Sequence, residues 1–225
     1  YEDGLCLNLN LNEQSKIEIT DLKDNKFIFY KPEANDELYV LEIQEDNNGN
    51  ATRYNYEGGK ITSITDAANR VTTISYVDST NKVSKITAAD GKEINFSYSG
   101  DRLKEISYPE NMKTSYEYDH QGRLCLVSTN ESSGRSVKYE YASNDKDSSN
   151  FFKIRSFTEF GSQNASENTK GGTTEFWYDM NQTKITNKIN NLDVPYHENT
   201  EIWQFDNQGR ATDIIDENGN FHETE

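Results

Sequence analysis

The residues best placed to do chemistry are aspartates that directly follow an aromatic side chain: Asp119 after Tyr118, Asp179 after Tyr178 and Asp206 after Phe205. Paired carboxylates drive glycoside hydrolysis, one as acid and one as base or nucleophile. In YDHQG and FDNQG, however, the aspartate stands three residues before a glycine. There a carboxylate accepts backbone N–H groups and caps a hairpin turn. Turn capping accounts for these residues without an acid–base pair, so no catalytic residue is assigned.

The other reactive side chains form no constellation. His120, His197 and His222 are too few and too scattered for a metal centre or a triad, and His120 occupies a turn. Cys6 and Cys125 match no metal or redox spacing and read as isolated thiols, with a Cys6–Cys125 bridge left open. EDNNGN and DENGN look like calcium loops, but neither has an aspartate five residues before its glycine. No metal or cofactor is expected. The run Phe176-Trp177-Tyr178 cannot direct all three rings to one side of a strand, which makes Trp177 the candidate exposed binding aromatic.

What must position these residues is a repeat. From Ile43 the chain breaks into IQEDNNGNATRYNYEGGKITS, ITDAANRVTTISYVDSTNKVSK, ITAADGKEINFSYSGDRLKE and ISYPENMKTSYEYDHQGRLCL, a period of 20 to 22 residues. Each unit has a turn (Gly49, Asn69, Gly91, Asn111, Gly134), then large side chains two apart. These are Tyr54 and Tyr56, Ile74 and Tyr76, Phe96 and Tyr98, Tyr116 and Tyr118, and Tyr139 and Tyr141. Residues two apart share one face of a strand.

A second turn follows at Gly58 and Gly59, Asn81, Gly100 or Gly122, and then an apolar pair three apart: Ile61 and Ile64, Val83 and Ile86, Leu103 and Ile106, Leu124 and Val127. Three breaks strand parity, so the spacing predicts a bulge, bend or strand end between the two members. Each unit is one β-hairpin. A lone hairpin is marginal in water, so the hairpins are expected to pair into a continuous curved or spiral sheet that buries the aromatic stripe.

The reading divides the chain into lead-in strands over 1–42, regular hairpins over 43–141, an irregular loop-rich insertion over 142–173, and degenerate repeats over 174–225. The lead-in carries Leu5, Leu7, Leu9 and Leu11 on one face, then Ile17 and Ile19, Phe27 and Phe29, with Leu38 and Leu41 as the three-apart pair. Phe151, Phe152, Ile154 and Phe157 are expected to attach the insertion. Downstream, Phe176 and Tyr178, Trp203 and Phe205, and the turn at Gly209 repeat the pattern, and a further unit opens and stops, as in a fragment of a longer array.

Composition agrees with sheets. Hydrophobic residues are 32% of the chain, so burial must lean on 14 Tyr, 10 Phe and 2 Trp. Helical periodicity is absent. The formal net charge of -16 repels phosphate and argues against nucleic acid or an anionic membrane as partner. No apolar stretch is long enough to span a bilayer as a helix.

The turn, aromatic-x-Tyr, Asp-x-x-Gly-Arg-Leu pattern, clearest in YEYDHQGRLCLV and looser in WQFDNQGRATDI, resembles the Rhs or YD-repeat family over most of residues 41 to 225. The leading segment is similar to that of wall-associated repeat proteins. The resemblance implies a ribbon of hairpins spiralling into a shell around a C-terminal toxin, closed by a self-cleaving segment at an Asp-Pro-x-Gly motif. This chain contains no Asp-Pro.

The expected function is therefore a non-enzymatic fragment of an extracellular bacterial repeat shell in a secreted or wall-associated toxin carrier. Its implied partners are further repeats and a toxin domain of the same polypeptide. The alternative is a module that binds a cell-surface glycan or protein through exposed aromatics.

Overall fold

In the computed structural model the described residues are 7–11, 16–32, 38–131, 134–189 and 197–223. They form nineteen β-strands and two short 3-10 turns. The all-β, antiparallel hairpin reading of the sequence holds. The chain makes two compact units, Tyr1–Phe96 and Ser97–Glu225.

The first unit holds β1 (Asn8–Leu11), β2 (Ile17–Thr20), β3 (Lys26–Tyr30), β4 (Val40–Glu45), β5 (Ala51–Glu57), β6 (Lys60–Thr65), β7 (Val71–Tyr76) and β8 (Val83–Thr87). Strand β9 (Glu93–Ser99) runs across the division. The second unit holds β10 (Arg102–Ser107), β11 (Lys113–Tyr118), β12 (Leu124–Thr129), β13 (Arg135–Tyr141), β14 (Ile154–Phe160), β15 (Lys170–Asp179), β16 (Gln182–Ile189), β17 (His197–Phe205), β18 (Ala211–Ile215) and β19 (Phe221–Glu223). Within each unit every strand pairs antiparallel with its neighbours in sequence.

The turns follow from side-chain chemistry. Asp119 accepts the N–H groups of Gln121 and Arg123 on Oδ1 at 2.9 and 2.8 Å, and its own N–H donates to the Arg123 carbonyl at 2.8 Å. The fourth residue of this loop, Gly122, sits at φ +86°, a region that favours glycine. The same carboxylate pattern recurs at Asp21, Asp46, Asp66, Asp206 and Asp216. Asp179 differs: its Oδ1 accepts only the adjacent N–H of Met180, at 2.8 Å.

The three-apart apolar pairs straddle a bulge. Tyr56 pairs with Ile61 while Asn55 pairs with Ser63, which leaves Thr62 as the extra residue and returns Ile61 and Ile64 to one face. Ser84, Cys125, Arg155 and Thr212 are the corresponding extra residues in later hairpins. In the lead-in the extra residue is Glu42. Leu41 thus takes the first member's place there, before the bulge, and Leu38, expected in that place, is 77% exposed.

Burial departs from the expectation of an enclosed stripe. Among the described residues the buried hydrophobic side chains are Ala51, Phe151 and Phe160. Tyr54, Tyr56, Tyr76, Phe96, Tyr98, Tyr116, Tyr118, Tyr139, Tyr141, Phe176, Tyr178, Trp203 and Phe205 are all half-buried. Within each unit the strand register places these side chains on one face. In the loop-rich segment Phe151 anchors the chain, but Phe152 is 78% exposed and contributes no such anchor. Leu7, Leu9 and Leu11 are exposed, and Leu5 lies outside the described residues.

Candidate functional site

The aromatic face is organised by a contact that the repeat alone does not announce. Strands β6 and β7 pair only near their connecting turn, from Ser63 with Thr73 to Thr65 with Val71. Beyond that the ladder stops, and the Tyr76 hydroxyl bridges the gap by donating to the Ile61 carbonyl at 2.8 Å. Tyr56 donates to Leu41 at 2.9 Å, Tyr118 to Leu103 at 2.8 Å, Tyr141 to Leu124 at 2.8 Å and Tyr178 to Ile154 at 2.7 Å. The acceptors Leu41, Ile61, Leu124 and Ile154 each stand just before a bulge, and in all copies but Leu41 the acceptor is the first member of an apolar pair, so the bulge and the second aromatic of these units are parts of one device.

In most copies a cation completes it. The residue just before the acceptor lies over the tyrosine ring: Lys60 over Tyr76 at 5.2 Å, Arg102 over Tyr118 at 5.5 Å, Arg123 over Tyr141 at 4.1 Å and Lys153 over Tyr178 at 4.8 Å. Lys60 also donates to the Thr80 carbonyl. Burial pushes the Tyr56, Tyr141 and Tyr178 phenols above their ordinary pKa, which keeps them protonated donors.

Arg123 is the densest copy, with a side chain 4% exposed. It donates to Asp119 Oδ2 at 2.8 Å, to the Ser143 and Phe151 carbonyls at 2.7 Å each and to Asn144 Oδ1 at 2.9 Å, and its guanidinium stacks 4.5 Å from the Phe151 ring. Burial raises the Asp119 pKa, but the Arg123 backbone N–H, guanidinium and charge outweigh it and hold the carboxyl below its ordinary value. This aspartate is spent on the turn and on Arg123.

The opposite face is polar. Cross-strand pairs join Lys85 to Glu93 at 2.9 Å, Lys113 to Glu105 at 3.0 Å and Lys188 to Glu175 at 2.7 Å. Trp177 lies on this face, 54% exposed, while Phe176 and Tyr178 take the other. A hollow of about 640 Å³ beside it is lined by Glu140, Arg155, Ser156, Glu175, Phe176, Lys184, Thr186 and Glu198.

The segments that share this fold belong to far larger proteins. Over 89% of its length the chain superposes on crystal structures of TcdB2-TccC3-Cdc42 and of TcdB2-TccC3 without its hypervariable C-terminal region, at a TM-score of 0.55 and 15% identity in each case. The fold is shared. The chain spans 11% of the length of each of those chains. It matches no protein-family model and no curated protein.

The sequence-predicted residues sort by face and rim. The repeat aromatics lie on the latched face, and Trp177 is apart from them. Gly49, Gly91, Gly100, Gly122, Gly134 and Gly209 all occupy turns at positive φ, as does Asn69 at +60°. Cys125 is a bulge residue with no disulfide among the described residues, its thiol pKa raised by burial, and Cys6 lies outside them. His120 is exposed on its turn and His222 lies 3.6 Å from Asp216. Among the described residues no group of three or more His, Cys, Asp or Glu is placed to hold a metal.

Sequence reasoning missed the cations and the carbonyl acceptors. Their signal was present: Lys60-Ile61 and Arg102-Leu103 each stand at the same offset before the second tyrosine of the next unit.

Proposed function

We propose that this chain is a non-enzymatic structural segment of an extracellular YD-repeat shell, the wall of a toxin carrier. The observation that carries the reading is the repeated latch: hairpin after hairpin spends its tyrosine, and in most copies a cation, on holding its neighbour, while the aspartates are spent on their own turns. A scaffold needs such investment, whereas an active site needs a few groups held apart from it. The fold shared with TcdB2-TccC3 segments, together with the YD-type motif of YEYDHQGRLCLV, supports placement in a carrier. The implied partners are the adjoining repeats and a toxin domain in the same polypeptide.

Two measurements test this. Limited trypsin digestion should cut first after Lys146, in the loop over 142–150, and leave the hairpins intact. A chain cleaved evenly throughout would argue against a stiff wall. Assays with chromogenic glycosides should show no turnover, and turnover abolished by Asp119→Asn would overturn the non-enzymatic assignment.

A further inference from the structure

Trp177 is a large aromatic ring left 54% exposed on the polar face of the second unit, and the carrier reading makes no use of it. It borders two hollows, of about 640 and 360 Å³, and Arg155 lines both. Ser156 and Thr186 line the larger one as buried hydroxyls, bonded to Glu140 at 3.3 Å and to Thr200 at 3.2 Å. Glu140, Glu175 and Glu198 supply acceptors around it, and Arg155 and Lys184 supply donors. Among the described residues neither Arg155 nor Lys184 has an ion-pair partner.

We propose that Trp177 and its two hollows bind a neutral oligosaccharide, with a sugar ring stacked on the indole and its hydroxyls shared between the glutamates and the Arg155 and Lys184 cations. A pyranose presents a flat C–H face to an aromatic ring, and its hydroxyls donate and accept at once. They therefore suit a site that supplies both acceptors and donors. A ligand of single charge suits it less: an anion would face three glutamates and a cation would face Arg155 and Lys184. The larger hollow has the volume of a small-ligand site, and the second hollow on the same indole favours a chain of sugars over a single one. This site is independent of the carrier reading and stands or falls separately from it.

The test titrates the whole chain with maltohexaose, cellohexaose, xylohexaose and chitohexaose by calorimetry and tryptophan emission, with a heparin hexasaccharide and hexalysine as charged controls. At least one neutral hexaose should saturate. Trp177→Ala should weaken it by about tenfold or more, as for an aromatic anchor. Trp203→Phe, on the other face, should leave it unchanged. Circular dichroism checks that each variant is folded, and Trp177→Phe with Arg155→Ala give the same readout if the alanine variant is not. No binding by any neutral hexaose, binding undiminished without the indole, or tighter binding of either charged control would each overturn the proposal.

Discussion

At the scale of single residues, Arg123 and Arg210 occupy equivalent places after Asp-x-x-Gly and do different work. Arg123 is enclosed by Asp119, two carbonyls, Asn144 and two rings, whereas the Arg210 side chain is 73% exposed and pairs with Asp206 at 2.8 Å. Removing one partner from a buried charge pair leaves the rest unpaired and costs about 3 to 5 kcal/mol. Arg123→Met should therefore cost about that much in urea unfolding, and Arg210→Met should leave the midpoint nearly unchanged. Equal effects would show that burial does not set the value of this position.

Tyr118→Phe removes one donor and should cost about 1 kcal/mol. Tyr118→Ala should cost more, yet less than the roughly 3 to 5 kcal/mol of a fully buried ring, because Tyr118 is half-buried. His120→Ala should cost nothing measurable by the same assay.

The turn carboxylates also set the response to acid. Asn220 bonds to Asp216, first through its side chain and then its backbone N–H, and lowers the aspartate from 3.8 to about 2. The Arg70 and Arg210 backbone N–H groups lead the downward shift of Asp66 and Asp206. A group that ionises more readily when folded stabilises the fold above its unfolded pKa, and that contribution disappears as pH falls through the folded value. Stability should thus decline between about pH 4 and pH 2. NMR titration of the Asp216 carboxyl should find a midpoint near 2, and an ordinary midpoint would remove this turn as a source of acid sensitivity.

At the scale of elements, the bulge decides which side chains share a face. Deleting Thr62 and Ser63 together would make Ile61 and Ile64 adjacent, hence on opposite faces, and move the carbonyl that Tyr76 reaches. Amide hydrogen exchange should then show protection lost across β5 to β7, while Thr62→Val keeps it. Preserved protection in the deletion would mean that the register is held elsewhere. This is also where the sequence was most legible: a period near 21 with aromatics two apart and aliphatics three apart specifies a strand, a turn and an extra residue. The tyrosine latch was less legible, because the hydroxyl's partner is a carbonyl and any residue supplies one. The surroundings of Trp177 were hidden for another reason. Alternation places the ring on the polar face, but Glu140, Arg155 and Lys184 reach it only through the pairings of β13 to β16, with an irregular loop intervening.

At the scale of the whole molecule, three buried hydrophobic side chains among the described residues make no central core. Stability is then a sum over neighbouring hairpins, as in other repeat arrays. Hydrogen exchange should report a spread of opening energies, lowest at β1, where Leu7, Leu9 and Leu11 are 48%, 68% and 61% exposed, and highest around Arg123. A single opening energy shared by all protected amides would contradict this.

The place where the ladder ends between β6 and β7, and again between β10 and β11, matters mechanically. When the chain is pulled, tension enters each such strand pair at its unzipped mouth, where the phenol and its cation sit, and meets them before any ladder bond. Each latched strand pair thus carries its own fuse, and the force needed to part it is set by its one tyrosine.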